Sequence, residues 1–244
     1  MLFQGVGFFM VEPIIVAVDG TAGSGKSSIC SRACDEKSWV YVNTGILYRA
    51  VAYLAGEKNI SFTDETALLK VVEDFNIHFI WKHETRRLFY QGHDISSKLM
   101  SETTGQQASQ LAKLKRVRQA LLPIQRNLAL SCKKKVVVME GRDIGTVVFP
   151  KASVKVFMTA SIENRAKRRL EQLKGEDSKV VTLDQLIHQM KERDQEDTKR
   201  GVAPLVETED SIKFDTSSKS QNDCVKDFIE LVEKKLLELK LLFN

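Results

Sequence analysis

The eight residues 20–27 restrict the fold of this chain more than any other segment. They read Gly-Thr-Ala-Gly-Ser-Gly-Lys-Ser, which matches G-x-x-x-x-G-K-[ST] at every fixed position, and they follow a short apolar run at residues 14–18. Such glycines let backbone N–H groups face a phosphate, and a helix that begins near Lys26 adds its positive dipole end. Lys26 can then reach the β- and γ-phosphates of a nucleotide, and Ser27 can contact Mg²⁺. The segment therefore predicts a nucleotide-binding P-loop between a strand and a helix.

Further short apolar runs, rich in β-branched residues, predict the rest of a sheet. They occupy residues 39–42, 136–139, 154–158 and 212–214. Amphipathic patterns separate them and predict helices over residues 44–55, 117–131, 162–173, 183–195 and 225–242. Nearly unbroken apolar strands that alternate with helices are typical of a parallel sheet covered on both faces. We therefore expect an α/β fold of the P-loop NTPase class, with a parallel five-stranded sheet flanked by helices.

Two segments depart from the alternating pattern. Residues 75–81 and 88–91 alternate in polarity around a polar stretch, which predicts a β hairpin in a small inserted subdomain. The charged break at 174–180 lies between two predicted helices and is interpreted as the tip of a mobile lid. The predicted domains are an N-terminal extension (1–12), a core (13–55, 101–160 and 200–244), an inserted monophosphate-binding subdomain (56–100) and a helical lid (161–199).

Composition excludes several other classes of protein. The chain has 244 residues, 43% of them hydrophobic, and no apolar run approaches the roughly 18 residues that cross a bilayer. Its cysteines lack the paired spacing of a zinc site and are interpreted as buried thiols in a reducing cytosol: Cys30, Cys34, Cys132 and Cys224. Residues 1–10 make a poor secretory signal, and residues 2–5 resemble a protease-cleavage scar, so we leave them out of the fold prediction.

Arginines follow the predicted strands at the sheet edge where α/β proteins bind ligands. Arg49 lies in the segment after the second strand, and Arg142 with Asp143 directly follows the run at 136–139. Arg193 and Arg200 lie at the end of the helix that follows the charged break. Arginines that converge on one edge could hold a second phosphate-bearing molecule, which an enzyme that transfers phosphate to water would not need.

These segments resemble the bacterial cytidylate kinases over nearly all of the chain from residue 14 on. The similar stretches are the P-loop and residues 44–49, 108–110, 116–118, 141–150, 191–194 and 202–205. The resemblance implies a nucleoside monophosphate kinase that transfers the γ-phosphoryl group of ATP, with Mg²⁺, to CMP or dCMP. It also implies an inserted small β subdomain and a helical lid.

The resemblance further implies a role for individual residues. Catalytic residues would be Lys26, Arg142, Arg193 and Arg200. ATP would be bound by Gly20, Thr21, Ala22, Gly23, Ser24, Gly25, Lys26, Ser27 and Ser28, and by Arg165, Arg168 and Arg169 on the helix entering the lid, with Ser27 also contacting the metal. The acceptor site would include Thr44 and Tyr48. Within it, Arg49, Arg142 and Arg200 would clamp the CMP phosphate, Ser109, Arg118 and Asp143 would face cytosine, and Arg193 and Asp197 would meet the sugar.

Three departures from the family's usual pattern stand in this sequence. Residues 43–44 are Asn-Thr where the family commonly has Asp-Ser, and Thr44 retains the hydroxyl. Glu196 and Thr198 lie in a segment where the family usually has a run of arginines, so this chain has fewer arginines there. Glu140 stands in place of an aspartate, so the sequence leaves open what metal or water contact its longer side chain makes.

Two other functions remain open at this stage. A P-loop kinase for another small acceptor, such as shikimate or dephospho-coenzyme A, would share the P-loop and the arginines. A nucleic-acid-binding module could use the net charge of +5 and the three lysines 133–135, although these directly precede a predicted buried strand and lack interleaved aromatic residues. A GTPase would want an Asn-Lys-x-Asp stretch, which the sequence lacks. We expect a cytoplasmic monomer that binds ATP, CMP and dCMP, with no nucleic acid or membrane partner.

Overall fold

Eight strands and eight helices make up most of the computed structural model, which describes residues 12–132, 134–173 and 181–241. In chain order they are β1 (Ile14–Gly20), α1 (Lys26–Lys37), β2 (Val40–Asn43), α2 (Gly45–Glu57), α3 (Glu65–His78), β3 (Phe79–Lys82), β4 (Arg87–Tyr90), β5 (His93–Asp94), α4 (Glu102–Leu111), α5 (Lys115–Leu130), β6 (Val136–Glu140), β7 (Val154–Thr159), α6 (Ile162–Leu173), α7 (Leu183–Lys199), β8 (Ile212–Asp215) and α8 (Gln221–Glu238).

The large sheet is parallel and has the strand order β2-β6-β1-β7-β8. Every residue of β1 and of β6 is buried, since helices cover both faces of the sheet. Ile15 and Ala17 of β1 face a core shared with α2, α3 and α5, whereas Val16 and Val18 face a core shared with α1 and α8. The predicted α/β class and the parallel five-stranded sheet are confirmed.

The predicted helices and strands of this frame lie where the sequence placed them, with small differences at their ends. The helix predicted over 162–173 has those bounds in the structure, and the helix predicted over 183–195 continues to Lys199. The last helix begins at Gln221 and ends at Glu238, so the predicted start at 225 and the predicted end at 242 are both wrong. Cys30 and Cys34 lie in α1 and are buried together with Cys224, whereas Cys132 is half-exposed.

The inserted region contains more structure than the predicted hairpin. Strands β3 and β4 pair antiparallel, and the two-residue strand β5 adds a third strand that the sequence analysis did not predict. Residues 75–78 were predicted as part of a strand, and this is wrong, because they form the last turn of α3. The buried residues of that helix recur at helical spacing and form one apolar stripe: Leu68, Val71, Val72 and Phe75.

Several predictions concern residues outside the described part of the chain. They are the N-terminal extension predicted over 1–12, of which only residue 12 is described, the cleavage-scar interpretation at residues 2–5, the lid tip at 174–180, and one of the three lysines, Lys133. Within the described ranges, no helix combines the length and apolarity that a membrane crossing requires.

Candidate active site

The P-loop follows β1 and wraps back to begin α1. Gly20 has φ +149°, and a Cβ atom there would lie 1.9 Å from the carbonyl oxygen of Met158 on the neighbouring strand β7. Gly25 caps α1 with φ +91°, in the left-handed region that favours glycine. Because glycine brings no side chain to cap the helix, the N–H groups of its first turn are open to an anion.

Lys26 lies inside this loop and is only 5% exposed. Its Nζ donates to the carbonyl oxygens of Gly20 at 2.8 Å and Thr21 at 2.6 Å, and to Ser24 Oγ at 3.3 Å. Burial lowers the pKa of Lys26, and the positive charge of Arg142 lowers it further. A bound phosphate would supply the negative charge that favours the protonated amine.

Glu140, at the end of β6, faces the P-loop serine. Its Oε1 accepts hydrogen bonds from Ser27 Oγ at 2.6 Å and from the Tyr41 hydroxyl at 2.8 Å. Its Oε2 is buried and has no hydrogen-bond partner among the described residues. The longer side chain that the sequence left unexplained therefore brings a carboxylate to the predicted metal ligand, Ser27.

Asp19 joins the P-loop strand to the loop that carries Arg142 and Asp143. Its carboxylate is 6% exposed and accepts from the backbone N–H groups of Ile144 at 2.8 Å and Gly145 at 2.7 Å. These two residues begin a single π-helical turn, Ile144–Val148, a form that often lies at functional sites. Burial, only partly offset by these two donors, raises the pKa of Asp19 to about 6.

The predicted phosphate clamp is assembled around Asp197 of α7. Arg142 Nε donates to Asp197 Oδ2 at 2.8 Å, and Arg200 Nη1 lies 3.9 Å from Asp197 Oδ1. Arg200 Nη2 is buried without a hydrogen-bond partner in the described part of the chain. Burial lowers the pKa of Arg193, and the neighbouring charge of Arg142 adds to the effect. Several cations share one carboxylate here, so the cluster is suited to an anion.

Arg49 approaches this region from α2. Its Nη1 donates to the carbonyl oxygens of Leu99 at 2.6 Å and Ser101 at 3.1 Å. A Cβ atom on Gly105 of α4 would lie 2.7 Å from Arg49 Nη2, so α4 packs directly against the guanidinium. Burial lowers the pKa of Arg49, and the charge of Arg169 on α6 acts in the same direction.

The structure brings together two of the three residues predicted to face cytosine. Arg118 and Asp143 form a buried ion pair, and Arg118 Nη1 also donates to the Ala112 carbonyl oxygen at 3.1 Å. The Arg118 guanidinium lies 5.5 Å from the centre of the Tyr48 ring. The third residue, Ser109, is half-buried on α4, and Ala112, whose carbonyl oxygen contacts Arg118, directly follows that helix.

Thr44 stands where β2 leads into α2, and it joins the acceptor side to β6. Its Oγ1 donates to the Glu140 carbonyl oxygen at 2.9 Å, and its own N–H donates to the same oxygen at 3.1 Å. A Cβ atom on Gly141 would lie 2.8 Å from Thr44 Oγ1, so the loop that begins at Gly141 passes close to it.

Two of the arginines predicted to bind ATP hold the P-loop in place. Arg165 is buried and donates to the Ala22 carbonyl oxygen at 3.0 Å and to Asp194 Oδ2 at 2.6 Å. Arg168 Nη1 donates to Thr216 Oγ1 at 3.0 Å, and Thr216 Oγ1 lies 2.9 Å from the Ser24 carbonyl oxygen. The third arginine is Arg169, whose Nη1 lies 3.5 Å from Gln172 Oε1 on the same helix. Direct contacts of these arginines with ATP stay a prediction.

Sequence reasoning missed three residues of this site. Asp19, Tyr41 and Thr216 lie in or just after β1, β2 and β8. Asp19 contacts the loop after β6, Tyr41 contacts Glu140 at the end of β6, and Thr216 contacts the P-loop. Carboxylates and hydroxyls at the carboxyl ends of parallel strands carry the same positional signal as the arginines there, since ligands bind at that edge of the sheet.

Residues 16–234 of this chain match the model of the protein family described as "Cytidylate kinase". Cytidylate kinase of Bacillus subtilis strain 168 is 37% identical over 228 residues, which are 93% of this chain and 99% of that protein. Cytidylate kinase of Bacillus cereus strain ATCC 14579 is 40% identical, with coverage of 91% and 97%. Cytidylate kinase of Vibrio vulnificus strain YJ016 is 37% identical, with coverage of 92% and 97%.

Proposed function

This chain belongs to the cytidylate kinase family, and from that membership we infer that it transfers the γ-phosphoryl group of ATP to CMP or dCMP. It is an ATP-dependent nucleoside monophosphate kinase, a phosphotransferase. The observation that carries the choice of acceptor is the buried pair of Arg118 and Asp143 next to the arginine cluster. A carboxylate beside a phosphate clamp suits a base that presents an amino group, as cytosine does.

Charge and positioning supply the catalysis in this proposal. In the transition state of phosphoryl transfer, negative charge spreads over the transferring oxygens and the leaving group. Lys26 and the open N–H groups of α1 are held at the place where the β- and γ-phosphates would lie, so they need little reorganisation during the reaction. No covalent nucleophile is required, because an oxygen of the acceptor phosphate attacks directly.

The arginine cluster makes this attack possible. Acceptor and donor are both anionic, and their mutual repulsion must be offset before they can approach each other. Arg142 and Arg200 share Asp197, and Arg200 Nη2, which has no hydrogen-bond partner in the described part of the chain, is available to a phosphate oxygen. We infer that α6 and α7 close over the bound nucleotides as a lid, which keeps out the water that would otherwise accept the phosphoryl group.

The residues present fit a Mg²⁺ ion bound with ATP. The Ser27 hydroxyl donates its hydrogen bond to Glu140 Oε1, so the lone pairs of Ser27 Oγ can face a cation. Glu140 Oε2, which has no hydrogen-bond partner among the residues that the structure describes, suits a water molecule on that cation. When bound, the ion would neutralise charge on the β- and γ-phosphates. We also propose a cytoplasmic monomer in which residues 56–100 help to bind the acceptor.

A coupled assay of ADP release tests the function. The acceptors CMP, dCMP, UMP, AMP, shikimate and dephospho-coenzyme A are compared with ATP as the donor, each with Mg²⁺ and with EDTA. We expect turnover with CMP or dCMP that requires Mg²⁺, and much poorer turnover with UMP and AMP. Equal turnover of AMP and CMP would show that the proposed choice of acceptor is wrong. Turnover in EDTA would show that the proposed requirement for Mg²⁺ is wrong.

A further inference from the structure

The inserted hairpin contacts the helix that begins at the P-loop. Arg86, in the turn between β3 and β4, has φ +53° and directs its guanidinium toward α1. Its Nη2 donates to the Ser31 carbonyl oxygen at 3.1 Å and to Asp35 Oδ1 at 2.5 Å. The hairpin is therefore anchored to the same helix that carries Ser27.

The same guanidinium covers the ring of Tyr41. Arg86 Cζ lies 5.2 Å from the centre of that ring, within the range of a cation–π contact. Tyr41 is 7% exposed on β2, which is an edge strand of the large sheet. Burial, together with the negative charge of Glu140, raises the pKa of Tyr41 well above its ordinary value, so its hydroxyl remains a hydrogen-bond donor at neutral pH.

The Tyr41 hydroxyl determines which oxygen of Glu140 remains available. Oε1 accepts both hydrogen bonds, from the hydroxyls of Ser27 and Tyr41, whereas Oε2 is buried and has no partner among the described residues. A buried carboxylate oxygen without a donor is costly, and a water molecule on a bound cation would satisfy it. If the carboxylate rotated, Oε2 would lose its present orientation, and Ser27 Oγ would lose the acceptor of its hydrogen bond.

We propose that Tyr41 and Arg86 are positioning residues of the Mg²⁺ site. The Tyr41 hydroxyl holds the Glu140 carboxylate with Oε2 toward the cation, and Arg86 of the inserted hairpin holds the Tyr41 ring. The inserted subdomain therefore influences how tightly the ATP site binds Mg²⁺, in addition to its proposed contribution to acceptor binding. This inference rests on the proposed function, because it uses the Mg²⁺ site formed by Ser27 and Glu140.

A binding experiment tests the inference without turnover. The affinity of a fluorescent, non-hydrolysable ATP analogue is measured in Mg²⁺ and in EDTA, and the ratio of the two affinities gives the enhancement by metal. Tyr41→Phe should lower this enhancement about tenfold, which is the size of one hydrogen bond to a charged acceptor. Arg86→Ala should lower it about threefold, in line with an exposed cation–π contact. In both variants the affinity in EDTA should stay within about twofold of the wild type, since the P-loop itself is intact.

Two variants provide matched controls in the inserted subdomain. Arg87→Ala removes the neighbouring arginine, whose Nη1 contacts Asp94 Oδ2 at 2.7 Å instead of α1. Tyr90→Phe removes another tyrosine hydroxyl that donates to a carboxylate, Asp74 Oδ2, at 2.5 Å. Both controls should keep the enhancement of the wild type.

Ser27→Ala and Glu140→Gln separate a failure of this inference from a failure of the proposed metal site. If these two variants keep the full enhancement, the proposed Mg²⁺ site is wrong, and the inference falls with it. If they lose the enhancement while Tyr41→Phe keeps it, only the inference is overturned. An equal loss of affinity in Mg²⁺ and in EDTA would show a merely structural role for Tyr41 and also overturn it. If Tyr41→Phe does not fold, Arg86→Ala on the hairpin surface decides in the same way.

Discussion

Asp143 is predicted to select cytosine over uracil, and its surroundings allow the effect of Asp143→Ala to be estimated. The carboxylate is 6% exposed, and its Oδ2 pairs with Arg118, which leaves Oδ1 outside that ion pair. Cytosine presents an amino group that donates to a carboxylate, whereas uracil presents an oxygen that the negative charge repels. A hydrogen bond to a charged group contributes about 1.5–3 kcal/mol, so the ratio of kcat/KM for CMP to that for UMP should fall about 10- to 150-fold.

The same substitution should lower the stability of the protein. It leaves Arg118 buried without its carboxylate, and breaking a buried ion pair costs about 3–5 kcal/mol. In the variant, Arg118 still contacts the Ala112 carbonyl oxygen and the Tyr48 ring, so we expect a cost of about 3 kcal/mol. In a chain of this length, that cost corresponds to a fall in Tm of about 6–12 °C.

Steady-state kinetics on purified Asp143→Ala, with CMP and UMP as acceptors below its Tm, measures the predicted change. Asp197→Asn is the matched control, because Asp197 also pairs with an arginine of the site but is predicted to face the sugar. That control should lower kcat/KM for both acceptors and leave their ratio within about twofold. A folded Asp143→Ala enzyme with an unchanged ratio would refute the proposed reading of cytosine, and would show that Asp143 serves only to hold Arg118.

Three further predictions test other parts of the site. Lys26→Met should reduce kcat by about 1,000-fold with an unchanged circular dichroism spectrum, and a loss below tenfold would contradict the role of the P-loop lysine. Thr216→Val removes the hydroxyl that lies 2.9 Å from the Ser24 carbonyl oxygen. The KM for ATP should therefore rise about fivefold while the KM for CMP stays unchanged. Equal changes in the two KM values would contradict a role of Thr216 at the P-loop. The pKa of Asp19 is raised from 3.8 to about 6 in the folded protein, so the folded state binds the extra proton and gains stability as pH falls through 6. Chemical denaturation should therefore show that the unfolding free energy of the wild type, relative to Asp19→Asn, rises by about 1 kcal/mol between pH 7 and pH 5, and a constant difference would contradict this pKa.

The inserted region shows how a local pattern can mislead. The residues Phe-Asn-Ile-His at 75–78 alternate in polarity and were predicted as a strand, yet they end α3. Phe75 completes the buried helical stripe, and the Asp64 side chain caps the helix by accepting from the Ala67 N–H at 2.9 Å. Ile77 is 75% exposed, so burial of the helical stripe outweighs the two-residue alternation. The helix cap and the apolar stripe are both visible in the sequence and favour a helix, whereas the alternating residues favour a strand. Packing in the folded protein determines that the helix forms.

The P-loop, the parallel sheet and the sheet edge that carries the arginines could all be predicted from the amino-acid sequence. These features depend on local rules: glycines that allow positive φ, apolar runs that form buried strands, and parallel strands whose carboxyl ends meet. Which side chains contact one another at that edge depends on the packing of the folded chain. Ser27 and Glu140 are 113 residues apart in the chain, and Asp19 and Ile144 are 125 apart. No local pattern encodes such contacts, because they follow from the order of β2, β6 and β1 in the sheet and from the length of each side chain that reaches across it.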